Sequence, residues 1–274
     1  MVELVVEGRK RQPLGQALRE LWAFREVVLA FAERDVRVKY KQAVLGVLWV
    51  VLQPLSFLLI FSVVFGRLSG IAGGGASYAA STLAALVPWF FLQTAVSFGA
   101  LALLGDAALL RKIYFPREAP IVGAVLGAGL DFAVGLLLLA ALGPWLGTLV
   151  SWTVLLVVPL WLLLAALATG AALGLGALTV YYRDFRYVVP LLLQLWMFAS
   201  PVAYPLGLVP ERWQVLYVAA NPAAGALEAI RQAVAGGRLP DPSLVLSSAL
   251  GSAAVLVAGY LLFKSLEPDF ADAI

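Results

Sequence analysis

The chain contains no cysteine and no histidine among its 274 residues. Without cysteine it has no disulfide framework, and its redox compartment cannot be inferred. Without histidine it lacks the commonest general base and the commonest metal ligand. The P-loop pattern Gly-x-x-x-x-Gly-Lys-Ser/Thr is also absent, so the chain cannot cradle a nucleotide in that way. These absences leave few candidates for nucleophilic or metal catalysis, and they exclude a P-loop motor within the chain.

Charge is scarce as well, because only 13% of residues are charged, against about 25% in soluble domains. Hydrophobic residues reach 62%, with a mean hydropathy of +0.95. Six stretches are apolar enough to cross a bilayer, where about 20 residues are needed: Val44–Phe65, Tyr78–Leu104, Ile121–Leu142, Val154–Val180, Val188–Ala203 and Leu244–Phe263. The sequence therefore predicts an all-α membrane protein with a transmembrane domain over residues 43–264, a cytoplasmic N-terminus (1–42) and a cytoplasmic tail (265–274).

The segment Leu14–Lys41 has apolar residues at helical spacing on one face and charged residues on the other. It predicts one or two amphipathic helices at the membrane surface, and the alternative is a helix packed on protein. The apolar face consists of Leu14, Leu18, Leu21, Trp22, Val28, Leu29 and Ala32, widened by Phe24, Val27 and Phe31. The first forty residues do not resemble a cleavable signal, so we expect the first span to direct insertion.

Lys and Arg residues set the predicted orientation. With the N-terminus inside, fifteen basic residues lie in inner segments and four in outer segments, which predicts both termini in the cytoplasm. Because the basic residues border spans, the pI of about 9.2 indicates contact with anionic lipid headgroups rather than nucleic acid.

The stretch Leu206–Pro242 is too apolar for an exposed loop and too interrupted for a span. It predicts short re-entrant helices over about 204–242, since non-helical backbone at membrane depth requires protein or a water-filled cavity around it.

Asp131 is the one acidic residue placed near the middle of a predicted span, where a carboxylate costs about 2.5–3.5 kcal/mol. It is either a proton or ion site, or the acceptor of a buried hydrogen bond in a tightly packed bundle. Nearby glycines favour the second interpretation. The pairs Gly123/Gly127 and Gly170/Gly174 indicate helix contacts within the chain rather than a dimer interface.

The inner loop Leu109–Glu118 (LLRKIYFPRE) combines cations, aromatic residues and a proline. It suits either a short helix presented to a groove on another protein or an anchor at the membrane interface. The sequence alone does not separate these two interpretations.

Several motifs together resemble the permeases of type-2 ABC exporters that move polysaccharides (O-antigen, teichoic acid and capsule). RDVRVKYKQAVLGVLWVVLQP (Arg34–Pro54) resembles the entry to their first span. The motifs that follow in order are VPWFF (87–91), RKIYFPRE (111–118), YYRDFRYVVP (181–190), SPVAYP (200–205) and NPAAGALEAIR (221–231).

This resemblance implies a half-transporter of two copies of this chain and two copies of a separate ATPase subunit in the bacterial inner membrane. It implies that the partner ATPase binds ATP and Mg²⁺, that this chain holds no cofactor, and that the substrate is a lipid-linked polysaccharide. The ATPase-coupling residues, within a coupling loop of about 105–118, are then Arg111, Lys112, Ile113, Tyr114, Phe115, Pro116, Arg117 and Glu118.

The same resemblance implies a channel lined mainly by the first and fifth spans and closed by outer gate helices. The channel-lining candidates are Trp49, Gln53, Gln194, Trp196, Phe198 and Tyr204. The outer gate candidates are Pro205, Trp213, Tyr217, Asn221, Pro222, Glu228 and Arg231. The alternatives are a type-2 exporter of lipids or drugs, a proton-coupled carrier using Asp131, and a membrane-embedded glycan or lipid enzyme.

Overall fold

The computed structural model describes residues 14–41, 46–68, 76–110, 112–147 and 151–270, and within these ranges the regular structure is helical. The α-helices are α1 (Leu14–Ala23), α2 (Arg25–Lys41), α3 (Leu48–Phe61), α4 (Ala76–Gly105), α5 (Ala107–Leu110), α6 (Ala119–Leu142), α7 (Val157–Tyr181), α8 (Phe185–Phe198), α9 (Glu211–Ala220), α10 (Pro222–Val234) and α11 (Pro242–Leu266). A π-helical segment, Ser62–Leu68, continues α3, and 3₁₀ turns occupy Trp152–Leu156, Leu206–Leu208 and Glu267–Asp269.

Five apolar helical segments in the described ranges are long enough to cross a membrane. They are Leu48–Phe65, Ser77–Gly105, Ala119–Leu142, Trp152–Tyr181 and Pro242–Asp269, and they match five of the six predicted spans. The predicted fifth span, Val188–Ala203, is displaced: the helix begins at Phe185 and ends at Phe198. Fourteen residues rise only about 21 Å, less than the hydrocarbon thickness of about 30 Å.

Proline explains why α8 ends early. Pro201 has no N–H to donate, and it disfavours helical backbone at the preceding Ser200. The chain therefore turns at residues 199–204, and the polar groups of this turn become available to side chains from elsewhere.

Helix α4 lies at the centre of the bundle, in contact with α3, α6, α7, α8 and α10. Its middle turns are buried all round, including Leu83, Leu86, Trp89 and Leu92. A helix that is apolar on all faces suits a position surrounded by other helices. Within the predicted re-entrant stretch, helix α10 is also almost completely buried, whereas α9 is mostly exposed.

Glycines mark the closest helix contacts, as the sequence predicted. A Cβ atom on Gly170 of α7 would lie 2.5 Å from Leu256 Cα of α11, and one on Gly259 would lie 1.9 Å from the Gly170 carbonyl oxygen. A Cβ on Gly123 of α6 would lie 2.7 Å from Phe31 Cβ of α2. Both glycine pairs therefore serve contacts within the chain.

The predicted amphipathic segment forms α1 and α2, and α2 packs lengthwise against α6. Val28 and Phe31 of α2 pack against Gly123, Ala32 packs near Gly127, and Lys39 reaches Asp131. Helices α2 and α6 therefore run side by side in the same direction. For α2 these contacts favour the alternative interpretation, a helix packed on protein along α6, while Trp22 of α1 and Leu29 of α2, both on the predicted apolar face, are exposed.

Candidate functional site

The loop between α4 and α6 is fixed at its beginning by a charged contact with α2. Asp106 is buried and accepts hydrogen bonds from both Nη atoms of Arg34, with Nη2 at 2.9 Å from Oδ2. Arg34 also donates to Asp35, its Nη2 lying 2.8 Å from Oδ1. The hydrogen bond to Asp106, together with Asp35, raises the pKa of the Arg34 guanidinium above its usual value. The guanidinium thus joins α2 to the end of α4.

Aromatic contacts fix the middle of this loop to α1 and α2. Phe115 is buried, and its ring centroid lies 5.3 Å from that of Phe31. Tyr114 donates a 2.7 Å hydrogen bond to Glu20, and its ring makes an edge contact with Phe24. Such aromatic pairs add about 0.5–1.5 kcal/mol each beyond the area that they bury.

The end of the loop is tied to the C-terminal end of α11. Glu118 is buried and forms an ion pair with Lys264, whose Nζ also lies 2.8 Å from Glu267. Arg117 donates to the Glu267 carbonyl oxygen and lies over the ring of Phe270. The loop is therefore held between two separate parts of the bundle, α1/α2 on one side and α11 on the other.

The structure divides the predicted ATPase-coupling residues into two groups. Phe115, Pro116 and Glu118 are buried, and Arg117 is half-buried. The exposed group forms a tip of three residues, Lys112, Ile113 and Tyr114, with Ile113 57% and Tyr114 64% exposed. Arg111 lies outside the described residues. We call Lys112–Tyr114 the loop tip.

Asp131 is not a lone carboxylate. Lys39 and Tyr40 of α2 both donate hydrogen bonds to it, and its side chain is only 11% exposed. These contacts agree with the hydrogen-bonded interpretation, and the donors come from α2 and include a cation that sequence analysis did not assign. A paired carboxylate is far less costly inside a bundle than an isolated one.

A second set of polar contacts surrounds the turn after α8, at the opposite end of α4 from the loop tip. Asn221 accepts a 2.8 Å hydrogen bond from Trp196 Nε1 and donates to the Ala199 carbonyl and to Ser200 Oγ. Tyr217 donates a 2.7 Å bond to the same carbonyl of Ala199. These bonds join α8, α9 and the first turn of α10.

Arg231 holds the rest of that turn. Its guanidinium donates to the carbonyl oxygens of Pro201, Val202 and Tyr204, and its Nη1 lies 3.0 Å from Glu228 Oε2. Arg231, one of the predicted outer gate residues, has an exposed fraction of only 6%. Charge-assisted bonds to carbonyls are among the stronger ones, so this contact fixes the turn to α10.

The predicted channel-lining residues, like the ATPase-coupling residues, include an exposed group and a group that is held by contacts within the chain. Trp49, Gln53, Gln194 and Phe198 are exposed on α3 and α8. Trp196 instead donates a hydrogen bond to Asn221, and its ring makes an edge contact with that of Trp89. The Tyr204 hydroxyl lies 3.2 Å from that of Tyr217.

Among the remaining gate candidates, Trp213 is 51% exposed. Pro205 is half-buried, and Pro222 is buried at the start of α10.

Sequence reasoning missed the partners that hold the loop. It singled out Arg34 and Asp35 within a motif and included Asp106 in the coupling loop of about 105–118, but it did not pair these residues, and it did not assign Lys264 to the site. The available signal was that buried charges are almost always paired, and Asp106, Glu118 and Lys264 border spans in the sequence. Which charges pair depends on tertiary packing, which the sequence does not display.

A family description, ABC-2 type transporter, matches residues 26–234, more than half of the chain. The chain belongs to the ABC-2 type transporter family. It is therefore a permease subunit, the membrane component of an ABC transporter, in agreement with its apolar helices.

Three relatives match over most of their length. The chain is 29% identical to the O-antigen export system permease protein RfbA of Myxococcus xanthus over 94% of this chain and 98% of that protein. It is 23% identical to the O-antigen export system permease protein RfbA of Klebsiella pneumoniae, covering 91% and 95%. It is 26% identical to the polysialic acid transport protein KpsM of Escherichia coli, covering 85% and 91%. The predicted resemblance to polysaccharide-exporter permeases is confirmed.

Proposed function

We propose that this permease exports a lipid-linked polysaccharide from the cytoplasm across the bacterial inner membrane, as a homodimer driven by two copies of a separate ATPase. The observation that carries the proposal is the near full-length similarity to permeases named for O-antigen and polysialic acid transport. ATP and Mg²⁺ are then bound by the partner, and this chain contributes the path and the coupling surface.

The loop tip is the proposed ATPase contact. Its three residues are exposed, while the neighbouring Phe115 and Glu118 are buried and fixed to other helices. A short apolar and cationic projection on a rigid base suits docking into a groove on a partner. Because the base contacts α2 and α11 at once, a displacement of the tip moves both sides of the bundle rather than bending a free loop.

The dimer is proposed to form around the exposed faces of α3 and α8. Helix α8 buries only the stripe Val189, Leu193 and Met197, while Leu191 and Leu195 are more than half exposed. A second copy would cover these apolar faces and enclose Trp49, Gln53, Gln194 and Phe198 as channel wall. Aromatic faces suit the apolar C–H faces of sugar rings, and the amides supply hydrogen bonds to hydroxyl groups.

The coupling proposal is tested by placing acidic side chains at the loop tip. We expect Lys112→Glu and Ile113→Asp to reduce co-purification of the neighbouring ATPase and ATP-dependent glycan export at least fivefold. Arg183→Glu is the matched control, because Arg183 is an exposed cation in the α7–α8 turn, outside the loop. Normal ATPase recovery and export in the loop-tip variants would remove the docking role.

Two rival functions remain distinguishable. A type-2 exporter of lipids or drugs would share this fold, and neighbouring glycosyltransferase genes favour the polysaccharide. A proton-coupled carrier needs Asp131 to bind and release a proton, whereas Asp131 is held by Lys39 and Tyr40. Membership of an ATP-driven family also argues against that carrier.

A further inference from the structure

A polar cavity lies at the end of the bundle opposite the loop tip. It has a volume of about 430 Å³ and is bounded by the first turns of α4, the turn after α6, and the second half of α10. Ser77 and Ser81 in its wall are separated from Gly105, at the other end of α4, by about 36–42 Å of helix. With the orientation proposed above, the cavity belongs to the outer side of the membrane.

Half of the twelve residues that line this cavity are polar. Its polar side chains are Ser77, Ser81, Glu228, Arg231, Gln232 and Arg238. Together they offer hydroxyl, carboxylate, amide and guanidinium groups, which serve both as donors and as acceptors. Ligand cavities of about 300–1,000 Å³ are usually lined mostly by apolar side chains with a few polar groups, so this wall selects against a lipid tail or an apolar drug.

Two of these side chains are built into the protein rather than lying loosely on its surface. Glu228 and Arg231 are 7% and 6% exposed, and their mutual bond and the carbonyl contacts of Arg231 hold them in place. Within the described residues the buried Nε of Arg231 has no hydrogen-bond partner. Fixed polar groups bind a ligand with little ordering cost. The two serines and Arg238 add less rigid groups around this fixed pair.

We propose that this cavity, which we call the outer cavity, is a binding site for a saccharide unit of the exported glycan. A sugar presents hydroxyl groups in several directions, and the wall offers it the Ser77 and Ser81 hydroxyls, the Arg238 guanidinium and the Nε of Arg231. The formal charges of Glu228, Arg231 and Arg238 sum to +1, so the site also accepts a sugar that carries one acidic group. The inference rests on the proposed function and adds an outer-face sugar site to it.

The site is tested by binding of a defined probe to the full-length permease in nanodiscs. The probe is the soluble glycan released from the surface of the organism that makes the chain, titrated by isothermal calorimetry. We expect Ser81→Trp, which places an indole ring inside the cavity, to raise Kd at least tenfold, and Arg238→Gln to raise it at least threefold. Ser243→Trp and Arg212→Gln are matched controls, since both residues are exposed near the same end and do not line the cavity.

Equal affinity of all four variants and the native chain would overturn the proposal, as would the absence of glycan binding by the native chain. A melting temperature for each variant separates lost binding from lost folding, and Arg238→Gln keeps the test decisive if Ser81→Trp unfolds. ATP-driven export measured with the native chain tests the proposed function separately. If the native chain exports glycan but the cavity variants leave Kd unchanged, the outer-cavity proposal fails and the proposed function stands.

Discussion

Removing the charge of Asp131 is a demanding test of the structure, because it leaves Lys39 of α2 facing a neutral side chain. Breaking one partner of a fully buried ion pair costs about 3–5 kcal/mol. The Lys39 side chain is 30% exposed and that of Asp131 is 11% exposed, so the cation retains some access to solvent. We therefore expect Asp131→Asn to destabilise the permease by about 1–3 kcal/mol.

The matched comparison is the double variant Lys39→Met with Asp131→Leu. Replacing a buried ion pair with apolar residues of similar size is often neutral or stabilising, so this variant should recover most of the lost stability. Thermal unfolding of the purified permease measures both. We expect Tm to fall by roughly 3–10 °C in Asp131→Asn and to return to within a few degrees of the native value in the double variant.

Export by the same variants separates a structural role from proton coupling. If Asp131 only joins α2 to α6, ATP-driven export should survive in the double variant, which has no titratable group at either position. Two results would refute this reasoning: an Asp131→Asn variant as stable as the native chain, or a stable double variant, correctly assembled with the ATPase, that exports nothing.

Three further predictions concern the contacts that fix the site. Glu118→Gln should lower the free energy of unfolding by only about 1–3 kcal/mol, because Lys264, its partner on α11, keeps the carboxylate of Glu267. The same variant should raise uncoupled ATP hydrolysis. Unchanged Tm and coupling would contradict this prediction. Gly259→Ala should lower Tm through a clash with the α7 backbone costing about 1–3 kcal/mol, whereas Gly105→Ala, which meets nothing within 4 Å, should not. Arg231→Met should cost about 3–5 kcal/mol and release the turn after α8, which faster proteolysis at residues 199–206 would report.

Hydropathy and family motifs predicted most of the helices correctly. Long apolar runs located five spans because a membrane-spanning helix must satisfy its backbone polar groups internally. The exception was α8, for which an apolar pattern was extended across Pro201 to Ala203. The local chemistry of Ser200–Pro201 was a sufficient reason to end the helix at Phe198, and the apolar content of the following turn obscured it.

The sequence singled out the candidate loop but did not show how the loop is held. The loop Leu109–Glu118 was identified by its motif, but the division between an exposed tip and buried anchors depends on Phe31 and Lys264, which are distant in sequence. The sequence left open whether α2 lies on the membrane surface or packs on protein, for a related reason. Amphipathicity shows that one face is apolar, but it does not show whether lipid or a glycine-lined helix covers that face.

The most direct test of the account is reconstitution of the permease in proteoliposomes with and without the neighbouring ATPase, followed by measurement of lipid-linked glycan movement. The account predicts ATP-dependent transport only when both proteins are present, and its loss with Ile113→Asp but not with Arg183→Glu. Uphill transport by the permease alone, under a proton gradient and without an ATPase, would contradict it.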